Sequence, residues 1–170
     1  HMTISDLISR LLTNGSATVL GFGISNRPLV RYLYEKGINV TVRDAKSPEA
    51  LGEDYFELSK KGIKFILGNE YLDNITEDVI FRSPGIRPDA GSIPDAVKNG
   101  SLLTSEMEWF LDITPAYVIA VTGSDGKTTT TTLTSKILAQ ELSQKGVGRV
   151  WVGGNIGTPL LDQADKMTEN

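Results

Sequence analysis

Cysteine is absent from this chain, which removes disulfides, thiolate metal sites and thiol nucleophiles together. The single histidine stands at position 1, beside Met2 in a pair that reads as a cloning remnant. Without it there is no Ser-His-Asp triad and no imidazole metal centre in this length of chain. No stretch approaches the roughly 18 uninterrupted apolar residues that span a bilayer. The start carries no signal-peptide hydrophobic run or cleavage site, so no membrane partner and a cytoplasmic setting are expected. The 17 basic residues are scattered among 21 acidic ones, net charge -4, and form no stripe that would suit nucleic acid. Phosphate recognition, if any, has to be local.

What is present suits a globular chain: 39% apolar and 22% charged residues. At 170 residues there is room for one full domain and part of another.

The most informative stretch is AYVIAVTGSDGKTTTTTLTSKILAQEL, residues 116–142. Tyr117 to Val121 is an apolar, β-branched run of the length of a buried parallel strand. Thr122-Gly123-Ser124-Asp125-Gly126-Lys127-Thr128 follows, and then Leu133, Ile137, Leu138 and Leu142 recur at helical spacing. Strand, glycine turn, lysine and helix form a phosphate-binding layout. Glycines let backbone N–H groups converge on a phosphate, and the helix aims its positive end at the same point. Lys127 supplies a point charge to the β/γ-phosphates and the Thr128 hydroxyl is placed to meet Mg²⁺, which makes this an NTP site. The eight-residue pattern G-x-x-x-x-G-K-[ST] would need glycine at 121, where Val121 stands. The loop is therefore two residues short. A strand-to-helix turn with a solvated lysine is the plain alternative.

Upstream, Ile4, Leu7, Ile8, Leu11 and Leu12 lie on a helical stripe that stops at Asn14-Gly15. Residues 17–21 read as a buried strand, followed by Gly21-Phe22-Gly23-Ile24-Ser25-Asn26 and a helix carrying Leu29, Val30 and Leu33. Residues 38–42 form the next strand, and Asp44 lies about 20 residues beyond the glycines, the ribose-binding position of a dinucleotide fold. That βαβ unit by itself would suit an NAD-dependent dehydrogenase. Asn26 in place of the third glycine weakens that reading, and Asp44 as a simple cap is the other possibility.

A helix over 48–61, strands at 63–67 and 78–82, a Ser83-Pro84-Gly85-Ile86 turn, a helix at 93–98 and a short strand at 102–103 follow. Residues 105–111 predict another helix, capped by Thr104 or Ser105. Its Glu106 and Glu108, two apart on a helix, point to different sides and read as a solvated face. Trp109 and Phe110 read as packing residues. Residues 149–152 predict a strand, and 153–157 a second glycine turn before a helix opened by Thr158-Pro159.

TGSDGKTTTTTL resembles the ATP loop of the Mur ligases, the amide-forming enzymes of peptidoglycan precursor synthesis, whose shortened loop has this spacing. GGNIGTPLL at 153–161 resembles a segment of the member that adds D-glutamate. The resemblance covers essentially the whole chain, as the first two-fifths of a full ligase. It implies an α/β fold: a Rossmann-like parallel-sheet UDP-binding domain at 3–103, then a linker helix and the beginning of a P-loop-type ATP-binding domain at 104–170.

It further implies that Ile24 and Ser25 contact a uridine diphosphate, that Asp44, Ala45 and Lys46 surround the uracil, and that Ser83, Pro84 and Gly85 lie beside it. Asn155 would face the substrate near the diphosphate. Gly123, Ser124, Asp125, Gly126, Lys127, Thr128 and Thr129 would hold the ATP phosphates. Lys127 and Thr128 would be catalytic, with Thr128 on the Mg²⁺. The implied partners are UDP-N-acetylmuramoyl-L-alanine and D-glutamate, the latter bound mostly by later domains. In the implied reaction, ATP phosphorylates the substrate carboxylate, releasing ADP, and the amine of D-glutamate attacks the acyl phosphate, releasing phosphate. The full-length enzyme is expected to be a monomer. The part in hand is expected to have no turnover, because a parallel pair with two helices buries too little surface to complete the second domain. A non-catalytic nucleotide-binding module is the competing expectation.

Overall fold

The computed structural model describes residues 4–154 and 159–169. The chain divides into two compact units, His1–Trp109 and Phe110–Asn170.

The first unit is built on five strands, β1 (Ser16–Leu20), β2 (Asn39–Asp44), β3 (Lys64–Leu67), β4 (Val79–Arg82) and β5 (Leu102–Thr104). They pair in parallel throughout, in the order β3-β2-β1-β4-β5. This is the strand order of a Rossmann-like sheet, with the reversal between β1 and β4. The three central strands are nearly all buried and the two edges only partly so. Burial on both faces explains why the central strands read as apolar runs rather than as alternating ones.

Alternation still decides which face each side chain joins. Leu20 and Ile80 pack with Ile75, Ile93 and Ala96, the last two from a short helix, α5 (Ile93–Lys98). On β4 the next residue, Phe81, meets Trp109 at 5.3 Å between ring centroids, and Trp109 also meets Tyr32 edge-on at 5.2 Å. Trp109 is thus core, carried by α6 (Glu106–Ile113). The Ser105 hydroxyl accepts from the Glu108 amide at 3.2 Å, which fixes the cap at Ser105. Glu106 departs from the solvated face expected of it: it is buried, whereas Glu108 is exposed and bonds Thr104. A turn of helix lying on a core cannot leave every side in water.

Helix α1 (Ile4–Leu12) buries Leu7 and Leu11. Helix α2 (Asn26–Glu35) buries Leu29, Val30 and Leu33 and ends at Gly37, φ 75°. There the Ile38 amide reaches back to the Leu33 carbonyl at 3.0 Å, a left-handed glycine stop. The single helix expected over 48–61 is two, α3 (Pro48–Leu51) and α4 (Glu53–Lys60). Gly52 separates them at φ 77°, ψ -155°, a conformation that only glycine adopts readily and that cannot continue a helix.

Helices α2 and α4 are joined by an ion-pair network in which Arg31 bonds Glu57 and Asp54, Arg27 bonds Asp54, and Lys61 bonds Glu57. Hydrogen bonds from Arg31 and then Lys61 lower the Glu57 pKa from its ordinary 4.5 to about 2. A carboxylate depressed in the folded state stabilises above its unfolded pKa and loses that contribution as pH falls toward the folded one. Urea midpoints of the wild type and Glu57→Gln are therefore expected to differ at pH 7, to converge between pH 4.5 and about 2, and to converge also with added salt, since the network is half-exposed. A difference that persists undiminished into strong acid would show that the pairing is not its source.

In the second unit, α7 (Lys127–Lys145) is the main element, with a 3₁₀ helix over Leu160–Lys166. Helix α7 closes on Gly146, φ 66°, with the Val147 amide on the Leu142 carbonyl at 3.1 Å. The strands expected at 117–121 and 149–152 do not form: among the described residues this unit contains no β-ladder. A strand is held by hydrogen bonds to a neighbour, and among the described residues of the unit these segments have no ladder partner. The apolar side chains of 117–119 are open to solvent, Tyr117 at 89% and Ile119 at 54%, those of Val121, Val150, Trp151 and Val152 are half-buried, and no residue of α7 is buried. The helix expected from Thr158-Pro159 onward is the 3₁₀ element; Thr158 itself lies outside the described residues.

Candidate functional site

Register places the first group of residues. Leu20 of β1 is level with Arg43 of β2 and with Arg82 of β4. The next residue on each strand, Gly21, Asp44 and Ser83, therefore lies at the same carboxyl end of the sheet, on both sides of the strand-order reversal. In open α/β sheets this is where ligands bind.

The three strand ends are laced together by polar contacts. The Asp44 carboxylate accepts from the Phe22 amide at 2.7 Å and, through its other oxygen, from the Lys46 amide at 2.8 Å. Asp44 is buried, while Ala45 and Lys46 beside it are exposed. The carboxylate thus fastens the first glycine turn to the end of β2, and its side chain does the work of a cap whatever else it contacts. Ser83 donates its amide to the Leu20 carbonyl at 3.0 Å. The Ser83–Ile86 turn is closed by the Ile86 amide on the Ser83 carbonyl at 3.1 Å, and the Arg82 guanidinium donates to the carbonyls of Ser83 and Ile86.

The glycines of the two turns divide into two kinds. Gly21 has φ 87°, and a Cβ there would meet the Ser83 Oγ at 2.6 Å, so the protein's own packing demands it. Gly23 and Gly85 lack a left-handed φ, and a Cβ on either would find no atom within 4 Å. Nothing among the described residues requires glycine at those two, and open space lies where a side chain would stand. Ile24, 82% exposed, and Ser25, Pro84 and Gly85 line the same end.

The second group lies in the second unit. The Thr122–Gly126 loop is exposed throughout. Gly126 takes φ 74° and Gly123 φ 150°, both open to a Cβ except for one contact at 3.8 Å. Helix α7 begins at Lys127 with no side-chain cap, which leaves N-terminal amides free to face an anion. The Lys127 ammonium folds back over the bend, donating to the carbonyl of Gly123 and to that of Ser124, the latter at 3.0 Å. Ser124, Asp125, Thr128 and Thr129 are exposed around it. Two glycines in permissive conformations, a lysine over the loop and an uncapped helix start form a donor set that fits a phosphate chain. Asn155 lies outside the described residues.

Sequence reading takes Asn26 only as a missing glycine and passes over two arginines, Arg82, which holds the Ser83–Ile86 turn, and Arg43, which holds the 71–77 segment. The available signal is an arginine in each of two apolar strands. Arg43, with only 4% of its side chain exposed, ion-pairs Glu77 at 3.2 Å and donates to the carbonyls of Tyr71 and Asp73 at 3.3 and 2.8 Å. A depression of about 340 Å³ there, lined by Arg43, Lys64, Asp73 and Glu77, contains none of the predicted site residues.

Residues 15–105 match the family described as Mur ligase MurD-like, N-terminal domain. The UDP-N-acetylmuramoylalanine--D-glutamate ligase of Ruminiclostridium cellulolyticum is 49% identical over 157 residues, 92% of this chain and 33% of that protein. The ligase of the same name from Clostridium novyi is 48% identical, covering 93% of this chain and 34% of its own length. That from Clostridium botulinum strain Okra is 47% identical, with 89% and 32% covered. The chain spans about a third of the length of these curated relatives.

Proposed function

The chain belongs to the Mur ligase family, to the group described as MurD-like, and from that membership we propose that it is the N-terminal part of an ATP-dependent ligase joining D-glutamate to UDP-N-acetylmuramoyl-L-alanine. The observation that carries the reading is the level alignment of Gly21, Asp44 and Ser83 at the strand-order reversal, flanked by two glycines that the fold itself does not need.

In this reading the carboxyl end of the first sheet takes the uridine diphosphate. Ile24 and Ser25 meet the uridine diphosphate, Asp44, Ala45 and Lys46 surround the uracil, and Ser83, Pro84 and Gly85 close the other side. Asn155 faces the substrate. The boundary between substrate-binding and ATP-binding parts lies in the region of α6. In the second unit, the amides of residues 123–129 bind the ATP phosphates, Lys127 balances their charge, and Thr128 offers its hydroxyl to Mg²⁺. ATP supplies the phosphoryl group that activates the substrate carboxylate. This chain's share of the chemistry is electrostatic and positional, which is most of what phosphoryl transfer asks of a protein. D-Glutamate is received mostly by parts of the protein beyond these residues. A dehydrogenase is disfavoured by Asn26, whose buried side chain fills the place of the third fingerprint glycine.

Titration calorimetry tests the reading. The chain is expected to bind UDP and not NAD, and Asp44→Ala is expected to weaken UDP about tenfold or more, the worth of a hydrogen bond to a charged group. Uptake of NAD in preference to UDP would sink it. No ADP release dependent on both substrate and D-glutamate is expected from this chain alone.

A further inference from the structure

We infer that Asn26 is a positioning residue that locks the two rims of the crevice at the carboxyl end of the sheet to each other; this rests on the uridine diphosphate reading above and goes beyond it. Asn26 stands where a dinucleotide-binding turn has its third glycine, a position kept small so that helix and strand can pack closely. Here a side chain is present and buried, with a relative exposure of 3%. Its Nδ2 donates to the Gly21 carbonyl at 2.7 Å and to the Ser83 Oγ at 2.9 Å, with a longer approach to the Leu20 carbonyl at 3.4 Å. Two of these partners are carbonyls, which only accept, so the amide nitrogen has to face them and the orientation of the side chain is fixed.

Gly21 belongs to the first rim, the turn that presents Ile24 and Ser25. Ser83 belongs to the second, the turn that presents Pro84 and Gly85. One amide group therefore bonds both, 57 residues apart in sequence for the Asn26–Ser83 pair. The Ser83 hydroxyl adds its own reach to the Gly21 carbonyl at 3.5 Å, and the absence of a Cβ at Gly21 is what lets Ser83 approach. Asp44 fastens the first rim to β2 from the other side. The width of the crevice is set by these contacts within the fold itself, and a rim held in its bound position lowers the ordering cost of binding.

The test uses the whole chain. Calorimetric titration with UDP is run on the wild type, Asn26→Ala, Asn26→Gly and Leu58→Ala, the last a core truncation in α4 away from the crevice. Amide exchange at Ser83 and Ile86 is followed in each without ligand. Asn26→Ala and Asn26→Gly are expected to bind UDP about tenfold more weakly and to exchange faster at Ser83 and Ile86. Leu58→Ala is expected to melt lower and still bind UDP within about twofold of the wild type. Unchanged UDP affinity in Asn26→Ala, or a loss no greater than that of Leu58→Ala, overturns the inference. If the wild type takes up no UDP, the site reading falls, and exchange at Ser83 and Ile86 then decides whether the brace exists: unchanged rates in Asn26→Ala reject it and faster rates uphold it. Should Asn26→Ala fail to fold, Ser83→Ala removes the other end of the contact and is expected to weaken UDP in the same direction, with unchanged affinity counting against the brace.

Discussion

Arg43→Leu is expected to lower the unfolding free energy of the first unit by about 3–5 kcal/mol, the cost of removing one partner from a buried ion pair. Only 4% of the Arg43 side chain and 11% of that of Glu77 are exposed. The guanidinium donates to the carbonyls of Tyr71, Asp73 and Asn74 as well as to both Glu77 oxygens, and Glu77 in turn accepts from the Thr76 amide at 3.0 Å. One side chain thus holds the connection between β3 and β4 against the sheet. Its loss strands a carboxylate in a place with little water and frees several loop carbonyls at once. The paired variant Arg43→Leu/Glu77→Leu should recover a large part of the loss, because replacing a buried ion pair by apolar groups is often close to neutral. Urea unfolding of the three proteins, followed by the fluorescence of the buried Trp109, measures both numbers. A single-variant loss below about 1 kcal/mol would mean that the pair behaves like a surface one and that the loop is held by its other contacts. Among those are the Ser92 hydroxyl on the Leu72 carbonyl and the Ile75 amide on that hydroxyl.

Lys127→Ala in the full-length ligase proposed above is expected to reduce kcat by about 10²–10³-fold, the range for removing one preorganised group that stabilises charge in the transition state. UDP affinity, which the proposed reading assigns mainly to the first unit, should stay within about twofold. The ammonium donates to two carbonyls of its own loop. It is therefore already over the bend, and a phosphate chain would replace backbone carbonyls as its partner. Release of ADP with saturating substrate and D-glutamate gives kcat, and calorimetry with UDP gives the second quantity. Lys127→Arg is not expected to restore the rate, since a forked, planar guanidinium is not a substitute for a compact ammonium in a short loop. A Lys127→Ala enzyme that keeps its kcat would remove the phosphate-binding role from this loop.

Much of the first unit is legible in the residues. The runs at 17–21 and 38–42, with a helix between them, are buried on both faces and could be little other than central parallel strands. The glycine stop at 37 is equally plain, because a left-handed cap leaves a glycine directly after the last apolar position. The break in the helix expected over 48–61 is hidden because the apolar and charged pattern carries on through Gly52, whose backbone φ is invisible in composition. The burial of Glu106 is hidden for a different reason. The spacing of two glutamates on a helix of two turns does not reveal that one side of the helix rests on the core.

The second unit shows the opposite balance. Residues 117–121 and 149–152 have the composition of strands, yet hydrogen-bonded neighbours make a strand, and no pattern within a segment supplies them. The glycine bend and the helix start at Lys127 that follow are legible, since glycine, lysine and helix signals are all local. What the residues determined by themselves were the properties carried by near neighbours along the chain: the order of elements, the glycine turns, the helix stops, the lysine at a helix start. What only tertiary structure decided were the properties made by partners distant in sequence. These are the Asn26 amide on Ser83, Arg43 beneath the 71–77 segment, and the Asp44 carboxylate taken up by the Phe22 amide. The physical reason is that a hydrogen bond or ion pair across the sheet depends on register and burial, which are fixed only when the strands have been laid side by side.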